Sequence, residues 1–178
     1  MKRAVKMDSF IEYMIKRKNS AKVALKKCLI YFGALFISLV VTIVMFLFAP
    51  MLISFMPMII VLIFFVSYKM TTSFDIEFEY ILTNGELDID KIIHKRRRKR
   101  LMTIHSKSFI CFAKVGDEEF KAQENDNFTR VIDASSHSKT YDEYYAVFFK
   151  NGQKIKLIFN PTQKMIDVFK FYAPRVVK

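Results

Sequence analysis

The chain has 178 residues, 29 Lys+Arg against 17 Asp+Glu, and only four Gly, four Pro and two Cys. That length supports one domain, or one domain with a membrane element. Gly33, Gly85, Gly116 and Gly152 lie too far apart for a Gly-rich phosphate cradle, and two distant cysteines exclude a disulfide framework or a multi-Cys metal module.

Residues 1–27 read as a basic amphipathic arm. Met7, Phe10, Ile11, Met14 and Ile15 fall at helical spacing. Ser9 with Glu12 three residues on has the form of a capping box, and Lys16-Arg17-Lys18 follows. Such a helix is expected to lie on an anionic leaflet or, alternatively, to pack on the rest of the protein.

From Cys28 to Tyr68 there are 41 residues without a charge. A spanning helix needs about 20 apolar residues to cross a hydrocarbon core of ~30 Å, so the stretch is long enough for two. Ala49-Pro50 supplies the break, because proline has no N–H to continue a helix. The expected spans are 28–48 and 51–68, with Pro57 in the first turn or at a kink of the second. A signal peptide has a much shorter apolar region.

Lys/Arg placement sets the expected orientation. The first 27 residues hold nine Lys/Arg and two Asp/Glu, and the last 110 hold twenty and fifteen. Both ends should therefore be cytoplasmic, in a multi-pass protein of the cell membrane. Cys28 and Cys111 would then face a reducing compartment as free thiols.

Residues 69–178 read as a cytoplasmic β domain. Phe74, Ile76, Phe78, Tyr80 and Leu82 alternate with polar residues, and Asn84-Gly85 is a two-residue hairpin turn. This register sets Leu82 opposite Leu87 and Tyr80 opposite Ile89, keeping the apolar sets on one face. Further strands are expected at Leu101–Ile104, near Phe109–Val115, and at Arg130–Ala134, Tyr144–Phe149 and Gln153–Phe159. Val115–Thr129 and Ser135–Glu143 read as loops, and Asn151-Gly152 closes another hairpin. Asn160 as N-cap and Pro161 at the first helical position open a helix over 161–172, which Pro174 stops.

The run Tyr80-Ile-Leu-Thr-Asn-Gly-Glu-Leu-Asp-Ile-Asp90, the basic block after it, and Asn160-Pro161 with Met165–Pro174 resemble bacterial membrane-anchored pleckstrin-homology-like (PH-like) proteins. The resemblance covers about residues 28–174. It implies an α+β chain: an N-terminal two-helix transmembrane hairpin followed by a PH-like antiparallel β barrel or sandwich capped by a C-terminal helix. Two features depart from the pattern. The first hairpin is a minimal turn where phosphoinositide binders carry a long basic loop, and the last helix has Phe169 where Trp is frequent. Inositol-lipid recognition is therefore not carried over.

His94-Lys-Arg-Arg-Arg-Lys-Arg100 is the strongest polar signal. The hairpin register returns Lys95–Arg97 to the level of Thr72–Phe74, close to the end of the second span. Lys16, Arg17, Lys18, Lys95, Arg96, Arg97, Arg98, Lys99 and Arg100 are therefore the expected contacts to an anionic inner leaflet. The bland alternative is a solvated loop balanced by Asp117, Glu118, Glu119, Glu124 and Asp126. Nucleic acid fits poorly, because no aromatic residue interleaves with the cations.

No catalytic, cofactor or metal motif is present. His94, His105 and His137 lack ligand spacing, Cys111 sits in an apolar run, and Ser135-Ser136-His137 has no nucleophile elbow. The expectation is a non-enzymatic membrane protein with no cofactor, recruiting a protein partner through a groove or sheet edge. The alternatives are a protein that senses anionic lipid or organises the membrane, and an accessory subunit of a transporter or membrane enzyme. In the last case the hairpin would be the docking surface, where Gly33, Ala34 and Ser38 would allow close helix approach; a homo-oligomer is a separate partner expectation.

Overall fold

Residues Phe10–Lys16 form a strand, β1, where a helix was expected. The apolar positions fit both periods, and pairing decides between them. Ile11, Tyr13 and Ile15 share one face, with Ile15 4% exposed, while Phe10, Glu12, Met14 and Lys16 are exposed. β-Branched and aromatic residues suit a pleated surface, whereas so short a helix is marginal without packing. The computed structural model describes residues 9–117, 127–138 and 140–177, so Met7 and the cations ahead of it lie outside the described residues.

One unit of the chain is Asn19–Ile76. It holds α1 (Ala21–Phe48), a 3-10 turn at Pro50–Phe55 and α2 (Met56–Thr72). The Ser20 hydroxyl caps α1 by accepting from the Lys22 N–H at 3.3 Å. Pro50 opens the 3-10 turn and Pro57 lies in the first turn of α2, where a missing N–H costs nothing. Both helical stretches are long and apolar enough to cross a membrane. They run past the expected 28–48 and 51–68, because the absence of charge marks only the apolar part of a helix. Near their polar ends Lys27 pairs with Asp75 at 2.9 Å and the Tyr31 hydroxyl meets that of Thr71 at 3.0 Å.

The other unit combines Met1–Lys18 with Glu77–Lys178. Its strands are β1, β2 (Ile76–Thr83), β3 (Glu86–Ile93), β4 (Arg97–His105), β5 (Phe109–Lys114), β6 (Arg130–Asp133), β7 (Tyr144–Lys150) and β8 (Gln153–Phe159), followed by α3 (Gln163–Tyr172). They form two four-stranded sheets, ordered β1-β2-β3-β4 and β5-β7-β8-β6. The expected α+β architecture of β-sheets with a C-terminal helix is present, as two open sheets rather than a closed barrel and with one parallel pair, β6 with β8, among the antiparallel ones. A β6–β7 connection long enough to cross over makes that parallel pair possible.

β1 pairs with β2 over seven residues, from Phe10 opposite Thr83 to Lys16 opposite Glu77. The apolar helices are therefore an insertion between two neighbouring strands, not a segment preceding the domain. β2 and β3 meet at Asn84-Gly85, both at positive φ as a type I′ turn requires. Gly85 is further constrained by space, since a Cβ there would lie 2.7 Å from the Tyr172 ring.

Phe78, Tyr80, Leu82, Leu87 and Ile89 from the first sheet are buried together with Phe148, Leu157 and Phe159 from the second. Tyr80 meets Phe159 edge-on at 5.7 Å. Phe169 of α3 packs 5.5 Å from the rings of both Phe109 and Phe112. α3 begins later than expected. Thr162 is its N-cap, accepting from the Met165 N–H at 3.4 Å. Asn160 is instead 2% exposed, accepting from the Ser136 N–H at 2.7 Å and donating to the Asp142 carbonyl at 2.9 Å.

β1 supplies the edge of the first sheet, so a fragment starting at residue 70 lacks it. Loss of the Ile15 side chain and the ladder removes about 2–5 kcal/mol, or a melting shift of roughly 10 °C or more at 4–8 °C per kcal/mol. A chain with residues 19–76 replaced by a short Gly/Ser linker keeps β1 and should melt cooperatively. Thermal unfolding of the two proteins checks this, and equal melting temperatures would refute the role given to β1.

Candidate functional site

The basic block is a tight turn and half an edge strand rather than a loop. His94 and Lys95 both have positive φ, at 51° and 55°, and the Arg96 N–H closes the turn on the Ile93 carbonyl at 3.1 Å. Neither residue is glycine, and left-handed backbone at such positions costs roughly 1–2 kcal/mol each. β4 begins at Arg97, four residues before its expected start, because the arginines find carboxylates on neighbouring strands.

Alternation along β4 divides the block in two. Arg98 pairs with Glu79 at 2.9 Å. Arg100 pairs with Asp90 at 2.8 Å and Asp88 at 2.9 Å, and Asp88 also accepts from the Thr103 hydroxyl. These partners lie on β2 and β3, not in the 117–126 loop; Glu118, Glu119, Glu124 and Asp126 lie outside the described residues. Lys95, Arg96, Arg97 and Lys99 are exposed and form no ion pair among the described residues.

At the turn, an open groove of about 440 Å³ is lined by Met14, Glu77, Ile92, Lys95, Arg96 and Arg98. Glu79 borders the same face of the sheet. It is 1% exposed and one of its oxygens is buried without a hydrogen-bond partner. Burial pushes its carboxyl above the ordinary carboxylate range, Arg98 opposes this, and Glu12 and Asp90 reinforce it.

The three cations at the end of β1, Lys16 to Lys18, go different ways. Lys16 is exposed opposite Glu77. Arg17 pairs with Asp133 at 2.6 Å, contacts His137 and lies over the Phe78 ring at 5.6 Å. Lys18 donates its backbone N–H to the Ser136 carbonyl at 2.7 Å. Residues 10–18 thus pack on the β domain, one of the two placements expected for the arm.

Ser135 and His137 do meet, Oγ to Nδ1 at 3.2 Å, and Asp133 lies 2.9 Å from His137 Nε2. Ser135 is fully buried and its hydroxyl donates to Asp133 Oδ1 at 2.9 Å, which tightens the loop. Burial raises the Cys111 thiol, whose Sγ is 3.8 Å from the Tyr145 hydroxyl. Among the described residues no His/Cys/Asp/Glu group could hold a metal ion.

A buried polar node, not signalled by any motif, lies around Tyr80. Tyr80 donates to the Ala134 carbonyl at 2.6 Å and accepts from the Asn160 N–H at 3.4 Å, and burial raises its hydroxyl. A tyrosine at an inward strand position between apolar residues is the one available hint, since a buried phenol needs a partner.

The folded Glu79 carboxyl binds its proton more tightly than in the unfolded chain. Its contribution is therefore fully present below the ordinary carboxylate pKa and is lost as pH rises through the raised one. Glu79→Gln should flatten this part of the stability curve. In the same melts Arg98→Ala, which strands Glu79, should cost about 1–2 kcal/mol given the partial exposure of the pair, and Arg97→Ala close to nothing. Equal losses at 97 and 98 would refute the division of the block.

No curated protein and no solved structure matches the chain. A family model does: that described as Bacterial PH-like domain (DUF6106), over residues 7–178, a stretch that takes in β1, the inserted helices and both sheets. The chain belongs to this bacterial PH-like domain family.

Proposed function

We propose that this is a non-enzymatic membrane-anchored protein whose PH-like domain is held at the cytoplasmic face to recruit a protein partner. The observation that supports it best is the pairing of β1 with β2 across two apolar helices. A strand pair cannot straddle a bilayer, so the chain between Lys16 and Glu77 must cross an even number of times. Two apolar helices joined by an uncharged turn meet that condition. The Lys/Arg excess flanking both ends favours the cytoplasmic side for the β domain.

Cysteine labelling tests the topology in a chain with Cys28 and Cys111 replaced by Ser. Met51→Cys, at a site 95% exposed between the helices, should react with an impermeant maleimide on intact cells. Ser138→Cys should react only after permeabilisation. Labelling of both, or of neither, from outside overturns the arrangement.

A second reading, contact with anionic lipid, draws on the unpaired half of the basic block. Strained backbone at His94 and Lys95 displays Lys95, Arg96, Arg97 and Lys99 at the end of the sheet where β2 begins, three residues after α2. Near an anionic surface each cation contributes about 1 kcal/mol. The linker-bridged domain should bind vesicles containing phosphatidylglycerol. Neutralising Lys95, Arg96, Arg97 and Lys99 to Gln should abolish binding, whereas Arg98 and Arg100 act on stability. Undiminished binding by the fourfold variant rejects this reading.

A further inference from the structure

Glu79 has an unfinished set of contacts. It is 1% exposed in β2, where Oε1 accepts from Arg98 at 2.9 Å and Oε2 is buried without a donor. An ionised carboxylate is costly to bury with one oxygen left bare. The β1–β2 register sets Met14 opposite Glu79 and Glu12 opposite Ile81, so Glu12 is a diagonal neighbour of Glu79 on the same face. Asp90 of β3 also faces Glu79, and Arg100 of β4 holds Asp90 at 2.8 Å. Two ionised carboxylates can only accept and therefore repel. A proton on Glu79 Oε2 turns that oxygen into a donor to the Glu12 carboxylate.

The guanidinium that holds Glu79 also lines the basic groove. The Arg98 side chain is 56% exposed and shares the groove with Lys95, Arg96 and Glu77 and with the apolar Met14 and Ile92. Lys16 lies opposite Glu77 in register. An anion in the groove and an ionised Glu79 thus draw on one cation, and each negative charge weakens the hold on the other. Removing the charge of Glu79 strengthens the grip on the anion, and linkage makes the effect reciprocal.

We propose that the groove and Glu79 form one coupled site for an anionic phosphodiester and a proton. An anion beside Lys95 and Arg96 makes Glu79 hold a proton on Oε2, and a protonated Glu79 makes the groove hold the anion more tightly. The proton comes from solvent, and no covalent bond to the ligand forms. The inference rests on the reading of the basic turn as a contact to anionic lipid, and gives that contact a regulator that tightens it as pH falls.

The probe is dihexanoylphosphatidylglycerol, titrated calorimetrically into the full chain in a neutral detergent. Buffers of different ionisation enthalpy read the proton uptake per ligand bound. The phosphodiester keeps its charge throughout, so any pH dependence belongs to the protein. His94 lies in the turn and is itself titratable, so every protein tested carries His94→Asn, which tolerates the left-handed backbone there. Affinity should rise about fivefold from about pH 8 to about pH 5, the low end for coupled sites, with net proton uptake on binding. Glu79→Gln should remove the uptake and hold the affinity at its low-pH value, and Glu12→Gln should diminish both effects. Folding is checked by melts, and Glu12→Gln decides if Glu79→Gln does not fold. Uptake and pH dependence unchanged in the folded variants overturn the proposal. Binding without uptake overturns it and leaves the lipid contact standing, whereas no binding at all overturns both. Glycerophosphoglycerol, the headgroup without acyl chains, is the second probe. If it binds as tightly and with the same uptake, the coupling stands and a soluble phosphodiester replaces the lipid as its source.

Discussion

The pairing of β1 with β2 is the constraint on which the rest of the architecture depends. Seven residue pairs join strands whose sequence positions are separated by the whole helical insertion. Closing so long a loop is entropically unfavourable, but the penalty grows only as the logarithm of length, and a pre-formed helical hairpin reduces it further. Lys27–Asp75 and Tyr31–Thr71 fasten the polar ends of the two helices to each other. Within its own unit, the hairpin therefore presents its two ends close together, as a strand pair requires. Each unit independently satisfies the same geometric condition, which is why an insertion of this size leaves the sheet intact.

A second fastening acts behind β1. Arg17 reaches Asp133 at the end of β6, and Lys18 bonds to Ser136 just beyond it. The same short stretch receives Tyr80 at Ala134 and Asn160 at Ser136. Residues 133–136 thus collect contacts from β1, β2 and the approach to α3. Burial of Ala134, Ser135 and Ser136 excludes water that would otherwise compete for these bonds. A half-satisfied node of this kind costs more than an apolar one, and here each named group has its partner. The first sheet is consequently tied to the second by directional bonds as well as by aromatic packing.

Much of this was legible in the residues because it rests on local chemistry. The uncharged run with Pro50, the Asn84-Gly85 turn and the alternation from Phe78 to Leu82 each encode their structure within a few positions. β1 was not legible in that way. Phe10, Ile11, Met14 and Ile15 satisfy helical spacing while Ile11, Tyr13 and Ile15 satisfy strand spacing, and the arbiter is β2, far away in sequence. The start of β4 was hidden for a related reason. Arg97–Arg100 look like a solvated run until Glu79, Asp88 and Asp90 are brought beside them. Asn160 followed by Pro161 imitates a helix start, but the Asn160 side chain is taken by the 133–142 segment and the capping passes to Thr162.

The basic block shows why a run of like charge cannot be assigned one role. On a strand, successive side chains point to opposite faces, so Arg97, Arg98, Lys99 and Arg100 of β4 cannot share one environment. Arg98 and Arg100 fall on the face where β2 and β3 carry Glu79, Asp88 and Asp90, and without them a carboxylate that is 1% exposed would be left without a counter-charge. They are bound by the fold's own electrostatics. Lys95, Arg96, Arg97 and Lys99 are under no such obligation, and their mutual repulsion is unrelieved by any ion pair among the described residues. Lys95 stands at the strained turn and Arg96 directly after it, while Arg97 and Lys99 follow on β4. Within the block, these four are the side chains that form no ion pair among the described residues.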